Sequence, residues 1–293
     1  MYIKLFAIGT LGILGMFSLI GWSGQQPALR APSQMKKFSR EAAVQHRTGL
    51  VKVSANNPRP LERVVSALNE EYGWSVSFED PQFVSDSELA DDTDPNWQRA
   101  HPQGRKVRVP SGGVFEGEFV EDAGTRTPAG KEALLRQVAA AHNQSGNPGK
   151  FAVRVEDGRV EVVPVSVKNI SGVDQEVLPV LDTLITIPAE RRTALASILA
   201  ITKEMSARTQ VKIDLGMIPT NLLQTEVNVG GNNVAARKLL SQALNGTGRT
   251  LNWNLLYDAN VPGYFLNLHV ASVAVRDTYG RKTLMPVDTA PAH

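Results

Sequence analysis

The feature that most constrains this chain is that it states one order of elements twice. Leu61, Val64, Val65, Leu68 and Tyr72 are spaced for one face of a helix that opens at Pro60 and stops at Gly73. WSVSF (74–78) then alternates as a strand, with Trp74, Val76 and Phe78 on one side. A second strand is predicted at 113–120. A second helix follows Thr127-Pro128, with Ala133, Leu134, Leu135, Val138 and Ala139 inward. Two alternating runs around Asp157-Gly158 then predict a β-hairpin over 151–167. The order recurs downstream. Ile198, Ile201, Met205 and Thr209 stand 137 positions after Leu61, Val64, Leu68 and Tyr72. Val211, Ile213 and Leu215 keep that offset from Trp74, Val76 and Phe78. A strand near 225–229, a helix over 235–248 and strands at 251–256 and 264–270 complete the second round. Both stretches read helix, strand, strand, helix, strand, strand. The expectation is an α+β chain of two small related domains, each with two helices packed on short β-sheets.

The domain map that follows has a leader at 1–23, a flexible basic arm at 24–48 and a first domain at 49–167. A linker at 168–180, a second domain at 181–276 and a flexible tail at 277–293 complete it. The first domain carries a long insertion at 81–112, acidic at its start and basic at its end. A loop of that length in a small domain calls for a reason. With 293 residues, 42% hydrophobic and 20% charged, the chain has enough apolar material for two cores.

Leu5 to Trp22 is an uncharged stretch of 18 residues behind Lys4. Two readings stand. One is a signal peptide with a small-residue exit at Gly21-Trp22-Ser23. The other is a retained anchor, near the lower length limit for a span and weakened by Gly9, Gly12, Gly15 and Gly21. Either one places the body outside the cytoplasm, in the periplasm or secreted, or held at the inner membrane by residues 5–22. The chain has no cysteine, which excludes disulfides, thiol catalysis, thiolate metal sites and iron–sulfur clusters. Export without disulfides points to a bacterial envelope. Of the 31 Lys and Arg, five lie in the first 40 residues with no acid, leaving 26 against 29 acids beyond. The body is mildly acidic, so nucleic acid is not an expected partner.

PLERVVSALNEEYGWSVSFEDP (60–81) resembles the opening helix and strand of the secretin and TonB N-terminus short domain. AARKLLSQALNGTGRTLNWNL (235–255) is similar to that family's second helix and the strand after it. The resemblance spans roughly 200 residues. It implies a small fold of two helices on short sheets and a role in protein–protein contact in the envelope, not catalysis. Here neither a receptor barrel nor a secretin ring follows.

The search for chemistry returns bland readings. His46, His101, His142, His269 and His293 lack ligand spacing. GTRTPAGKE (124–132) misses the phosphate-loop pattern: five residues separate its glycines, and Glu132 stands where Ser or Thr would bind magnesium. It reads instead as a helix entry. Glu79, Asp80, Asp86, Glu88, Asp91, Asp92 and Asp94 read as a solvated loop neutralised by Arg99, Arg105, Lys106 and Arg108. No cofactor, metal or catalytic residue is expected. Phe83 and Trp97, aromatic in a charged insertion, either pin it to its own domain or anchor a partner. The expected function is a non-enzymatic envelope protein, an adaptor or assembly and signalling module. A secretin, a TonB-dependent receptor or an anti-sigma type regulator is its expected partner, with self-association alongside. The alternative is a periplasmic ligand-binding or hydrolytic protein with 81–112 as a pocket lid.

Overall fold

The computed structural model describes residues 42–289, Asp122 and Asp277 apart. The leader at 1–23, most of the expected arm and residues 290–293 lie outside the described residues. Strands β1 (Ala43–Arg47) and β2 (Leu50–Ala55) lead into α1 (Pro60–Tyr72) and β3 (Val76–Glu79). The insertion contributes β4 (Leu89–Asp91), α2 (Pro95–Ala100) and β5 (Arg108–Pro110). Next come β6 (Phe115–Val120), α3 (Pro128–Gln144), β7 (Lys150–Glu156) and β8 (Arg159–Lys168). After β9 (Asp174–Glu176) the second round runs β10 (Leu184–Thr193), α4 (Ala194–Thr209) and β11 (Lys212–Leu215). It continues through β12 (Glu226–Ala235), α5 (Ala236–Asn245), β13 (Leu251–Asp258) and β14 (Gly263–Val270). A hairpin of β15 (Ser272–Arg276) and β16 (Lys282–Pro286) follows.

Local chemistry sets the element ends. Pro60 sits in the first turn of α1, and Gly73 closes the helix at φ 67°, a conformation glycine adopts without strain. Thr127 caps α3 by accepting the Gly130 N–H, with Pro128 behind it. A side chain at Gly130 would collide with the Gly124 carbonyl, so the near-miss phosphate loop is a tight helix entry. Asp157 and Gly158 both take positive φ, as the two-residue turn of a twisted hairpin requires.

The two rounds fold alike. β2 pairs antiparallel with β6, and β10 with β12. β3, β8 and β7 lie side by side, as do β11, β14 and β13. β13 then pairs in parallel with β3, at Asn254 with Phe78 and Leu255 with Glu79. That joint fuses the triplets into one seven-stranded sheet, ordered β11-β14-β13-β3-β8-β7 with β9 on β8.

Alternation along the strands tells where each core sits. Val76 and Phe78 of β3 enter a core with Leu61, Val64, Leu68, Leu134 and Leu135. Leu251, Trp253, Leu255 and Tyr257 of β13 enter another, with Ile198, Ile201, Met205, Leu240 and Leu244. Leu256, between them in sequence, packs against the first core. Because Asn254 and Phe78 stand opposite each other on one face, the two cores lie on opposite faces of the shared sheet.

Several expectations change. The arm's last residues form β1, which pairs with β2 across a turn at Gly49. Its side chains are mostly exposed, so no apolar period announces it. The expected linker contains β9, paired with β8, and runs into a 3-10 turn at Val180–Asp182 that buries Leu181. The expected tail supplies β16, paired with β15, whose backbone bonds leave no mark on a polar sequence. Among the described residues no helix is long and apolar enough to cross a membrane.

The insertion is a clamp. β4 and β5 form a ribbon with α2 at its tip, and Phe83 is 2% exposed inside the second core. Phe83 therefore pins the insertion to its own body. The Glu88 carboxylate accepts the N–H groups of Gly149 (2.9 Å) and Lys168 (3.0 Å). Asn260, between β13 and β14, bonds the backbone N–H and C=O of Arg108. The solvated-loop reading holds for Asp86 and Asp91, which pair with Arg108 and Lys106. It fails for Glu79, Asp80 and Glu88, which are buried because they face the joint and the core rather than water.

Candidate functional site

The second core covers one face of β13 and β14. The opposite face carries the cross-strand pairs Asn252–His269, Asn254–Asn267 and Leu256–Phe265. This floor is walled by α1, through Glu62, Ser66 and Glu70, and by Leu284 of β16. The groove holds about 460 Å³. A neighbouring hollow of about 650 Å³ shares Glu62, Ser66 and Glu70 with it and runs on to β1. The Lys282–Glu70 ion pair, 2.8 Å, ties the β15–β16 hairpin to α1 beside them.

Glu62 accepts hydrogen bonds from Asn254 Nδ2 (2.8 Å) and Ser66 Oγ (3.1 Å), both at Oε1. Burial raises its carboxyl above the ordinary range; the Ser66 hydroxyl opposes the shift, and the Asp80 charge adds to it. Burial lowers the His269 imidazole, so the ring is neutral at pH 7. Asn252 donates a long bond to the Val76 carbonyl (3.4 Å), while its Oδ1 is buried with no partner. Asn267 accepts the Met217 N–H at 2.8 Å, and Gly216 leaves room for that amide, since a Cβ there would lie 2.2 Å from Asn267 Oδ1. The groove thus collects amides, an imidazole and a carboxyl whose bonding capacity the fold does not use up.

The wall comes from α1 and the floor from β13 and β14, on either side of the β13–β3 joint, so the joint positions them. At its centre is Arg237 of α5, 2% exposed. It bonds Glu79 Oε2 (2.5 Å), Glu161 Oε2 and Asp182 Oδ1 (2.8 Å), and lies over the Trp253 ring. Burial pushes Glu79 up to about 7 against the pull of Arg237. A second lock is Arg59, which takes φ 54° just before α1, an uncommon conformation for a residue with a Cβ. Its Nε donates to Asp80 Oδ2 (2.5 Å), its Nη2 to the Tyr257 carbonyl. Asp80 Oδ2 also accepts the Tyr257 N–H at 3.1 Å. Burial raises Asp80 as well, against Arg59.

Of the residues singled out in the sequence, Trp97 is 41% exposed on α2, stacked on His101 and covering Gly104. It does not join Phe83 or the groove. His46 lies between Glu71 and Glu121, His142 is buried against Phe115 and Phe151, and among the described histidines His269 alone reaches the groove. Among the described residues no group of three or more His, Asp or Glu could hold a metal. Sequence reasoning missed Glu62, Asn252, Asn254, Asn267 and Arg237. One signal was present. Arg237, Leu240 and Leu244 share a helix face, so a charge stood in a core position.

No protein-family model matches the chain, nor does any curated protein or solved structure. The fold and groove alone define the class: an α+β protein with a polar groove between α1 and one face of β13 and β14.

Proposed function

We propose that this is an exported, non-enzymatic cell-envelope protein that makes protein–protein contacts as an adaptor or assembly module, with the α1 groove as its contact site. One observation carries the proposal: the groove takes its wall from one round of the repeat and its floor from the other, and lines both with unspent hydrogen-bonding groups. Such a lining suits an extended polar segment, whose backbone amides match Asn252, Asn254 and Asn267. The reading as two related domains resembling the secretin and TonB N-terminus short domain belongs to this proposal. The doubled order of helices and strands supports it. Export through 1–23, cleaved or retained, is the other part, with a secretin, TonB-dependent receptor or anti-sigma type regulator as partner class and self-association beside it. The alternative, a ligand-binding or hydrolytic protein with 81–112 as lid, has less support, because no residue of 81–112 lines either hollow of the groove.

The test places a photoreactive side chain at Met217, which lines the groove and is 69% exposed, and as control at Leu199 on α4. Crosslinking in cells is expected to capture one envelope protein from 217 and not from 199. Equal capture at both positions, or none at 217, would overturn the groove as contact site.

A further inference from the structure

At the start of β13, where the α5 end, α3 and the β7–β8 turn meet, three cations line one cleft. Lys131 stands in the first turns of α3, Arg159 opens β8, and Arg249 lies between α5 and β13. They line one cleft of about 440 Å³ in which Asp157 is the one lining acid. Among the described residues the side chains of Lys131 and Arg249 make no ion pair or hydrogen bond. Arg159 donates Nη1 to the Leu251 carbonyl (2.9 Å) and Nη2 to Asn245, while its Nε is buried without an acceptor. Burial lowers Lys131, and no nearby carboxylate opposes the shift. Asp288 occupies the hydroxyl and N–H of Thr250 and faces Arg249; counted with Asp157, it still leaves the cleft net positive.

Three converging cations set against two acids leave unbalanced positive charge at the cleft. That charge is relieved by an oxyanion with several acceptor atoms, which can take guanidinium N–H groups and an ammonium at once. Gly158 and Gly248 border the cleft, and the space where a Cβ would stand is empty at both. Backbone there is open to approach.

We propose that this cleft is a binding site for a phosphate group, presented by Lys131, Arg159 and Arg249. The shared chemistry fits free phosphate or the phosphate of a lipid headgroup. The site is independent of the groove and of the contact reading.

Calorimetric titration of the full chain with inorganic phosphate tests it, alongside flotation with phosphatidylglycerol vesicles against phosphatidylcholine vesicles. The variant is K131Q/R249Q, which spares Arg159 because that side chain also bridges the joint. Lys203→Gln, on exposed α4 surface, is the control for losing a cation away from the cleft, and thermal melting checks that each variant folds. Saturable phosphate binding that weakens about tenfold or more in the double variant, but not in Lys203→Gln, supports the proposal with free phosphate as source. Vesicle binding that needs phosphatidylglycerol and is lost in the same variant supports it with the headgroup as source. No binding in either arm, or binding equal in the double variant, overturns it. Should the double variant fail to melt cooperatively, R249Q alone carries the test, since Arg249 is exposed and packs in neither core.

Discussion

The two stretches that share one order of elements differ most where they touch. Across α1 and α4 the offset is 137, and it carries buried residues onto buried residues: Leu61 onto Ile198, Val64 onto Ile201, Leu68 onto Met205. Beyond the insertion the offset is 102, taking Phe151 onto Trp253, Val153 onto Leu255 and Val138 onto Leu240. Joint and groove residues break the pattern. Glu62, Glu79 and Asp80 correspond to Leu199, Gly216 and Met217; Arg237, Asn252 and Asn254 correspond to Leu135, Lys150 and Ala152. What the rounds share builds a fold. What they do not share builds the joint and the groove.

Arg237→Leu gives α5 the residue that its counterpart position in α3 already has, and it should break the molecule most. The leucine packs, but Glu79 and Glu161 are left buried without their cation, at a cost of about 3–5 kcal/mol. Urea unfolding should show that loss, and adding Glu79→Gln and Glu161→Gln should return much of it. A single variant as stable as the parent would mean that the charges do not hold the joint.

His142 in α3 corresponds to Leu244 in α5, both fully buried. Burial lowers His142 to about 4 from 6.5. Between those pH values the unfolded chain binds the proton and the folded chain does not. The contribution is therefore complete above pH 6.5 and lost as pH falls through 4, an effect of about 3 kcal/mol. Glu79 runs the other way: raised to about 7 from 4.5, it contributes below pH 4.5 and fades as pH rises through 7. Parent and His142→Leu share Glu79, so it cancels between them. Denaturation midpoints at pH 7.5 and pH 4 should show the variant losing less stability on acidification, and parallel pH profiles would remove His142 as the cause.

A smaller test concerns a clasp that both rounds use. The Asn69 amide receives the Val76 N–H at 3.0 Å and donates to its carbonyl at 2.8 Å. At the matching position Ser206 receives the Ile213 N–H at 2.9 Å and turns its own proton to Thr202. Asn69→Ser keeps the first bond and loses the second, for about 1 kcal/mol. The loss is small because Asn252 already reaches the same carbonyl. Chemical denaturation checks it; a loss as large as that of Asn69→Ala would show that serine cannot serve here.

These contrasts also mark what could be read in advance. Pro60 and Gly73, Thr127-Pro128 and Asp157-Gly158 act through their own backbone geometry, so they are legible one residue at a time. The 137 offset was legible because core positions keep their spacing. The β13–β3 pairing was not. Two parallel strands whose paired residues lie 176 positions apart leave no turn between them, and only Asn254 and Leu255 meet Phe78 and Glu79. Without that joint the acids at 79 and 80 look like the start of an acidic loop, and Asn252 and Asn254 look like the wet side of a strand.

Glu62→Gln carries the smallest expected change in stability and separates the two kinds of unshared residue. Glutamine keeps a carbonyl oxygen for Asn254 and Ser66 and drops a charge that burial disfavours. Stability at pH 7 should stay within about 0.5 kcal/mol of the parent, on the favourable side. If Glu62 serves the groove, crosslinking from Met217 should nonetheless fall several-fold, because a buried carboxyl and an amide present different donors and acceptors to the same partner. The opposite pattern, unchanged crosslinking with more than about 1 kcal/mol lost, would place Glu62 with Glu79 and Asp80 as part of the joint. Then the wall of the groove would be there for the fold, and its floor of asparagines would have to account for contact alone.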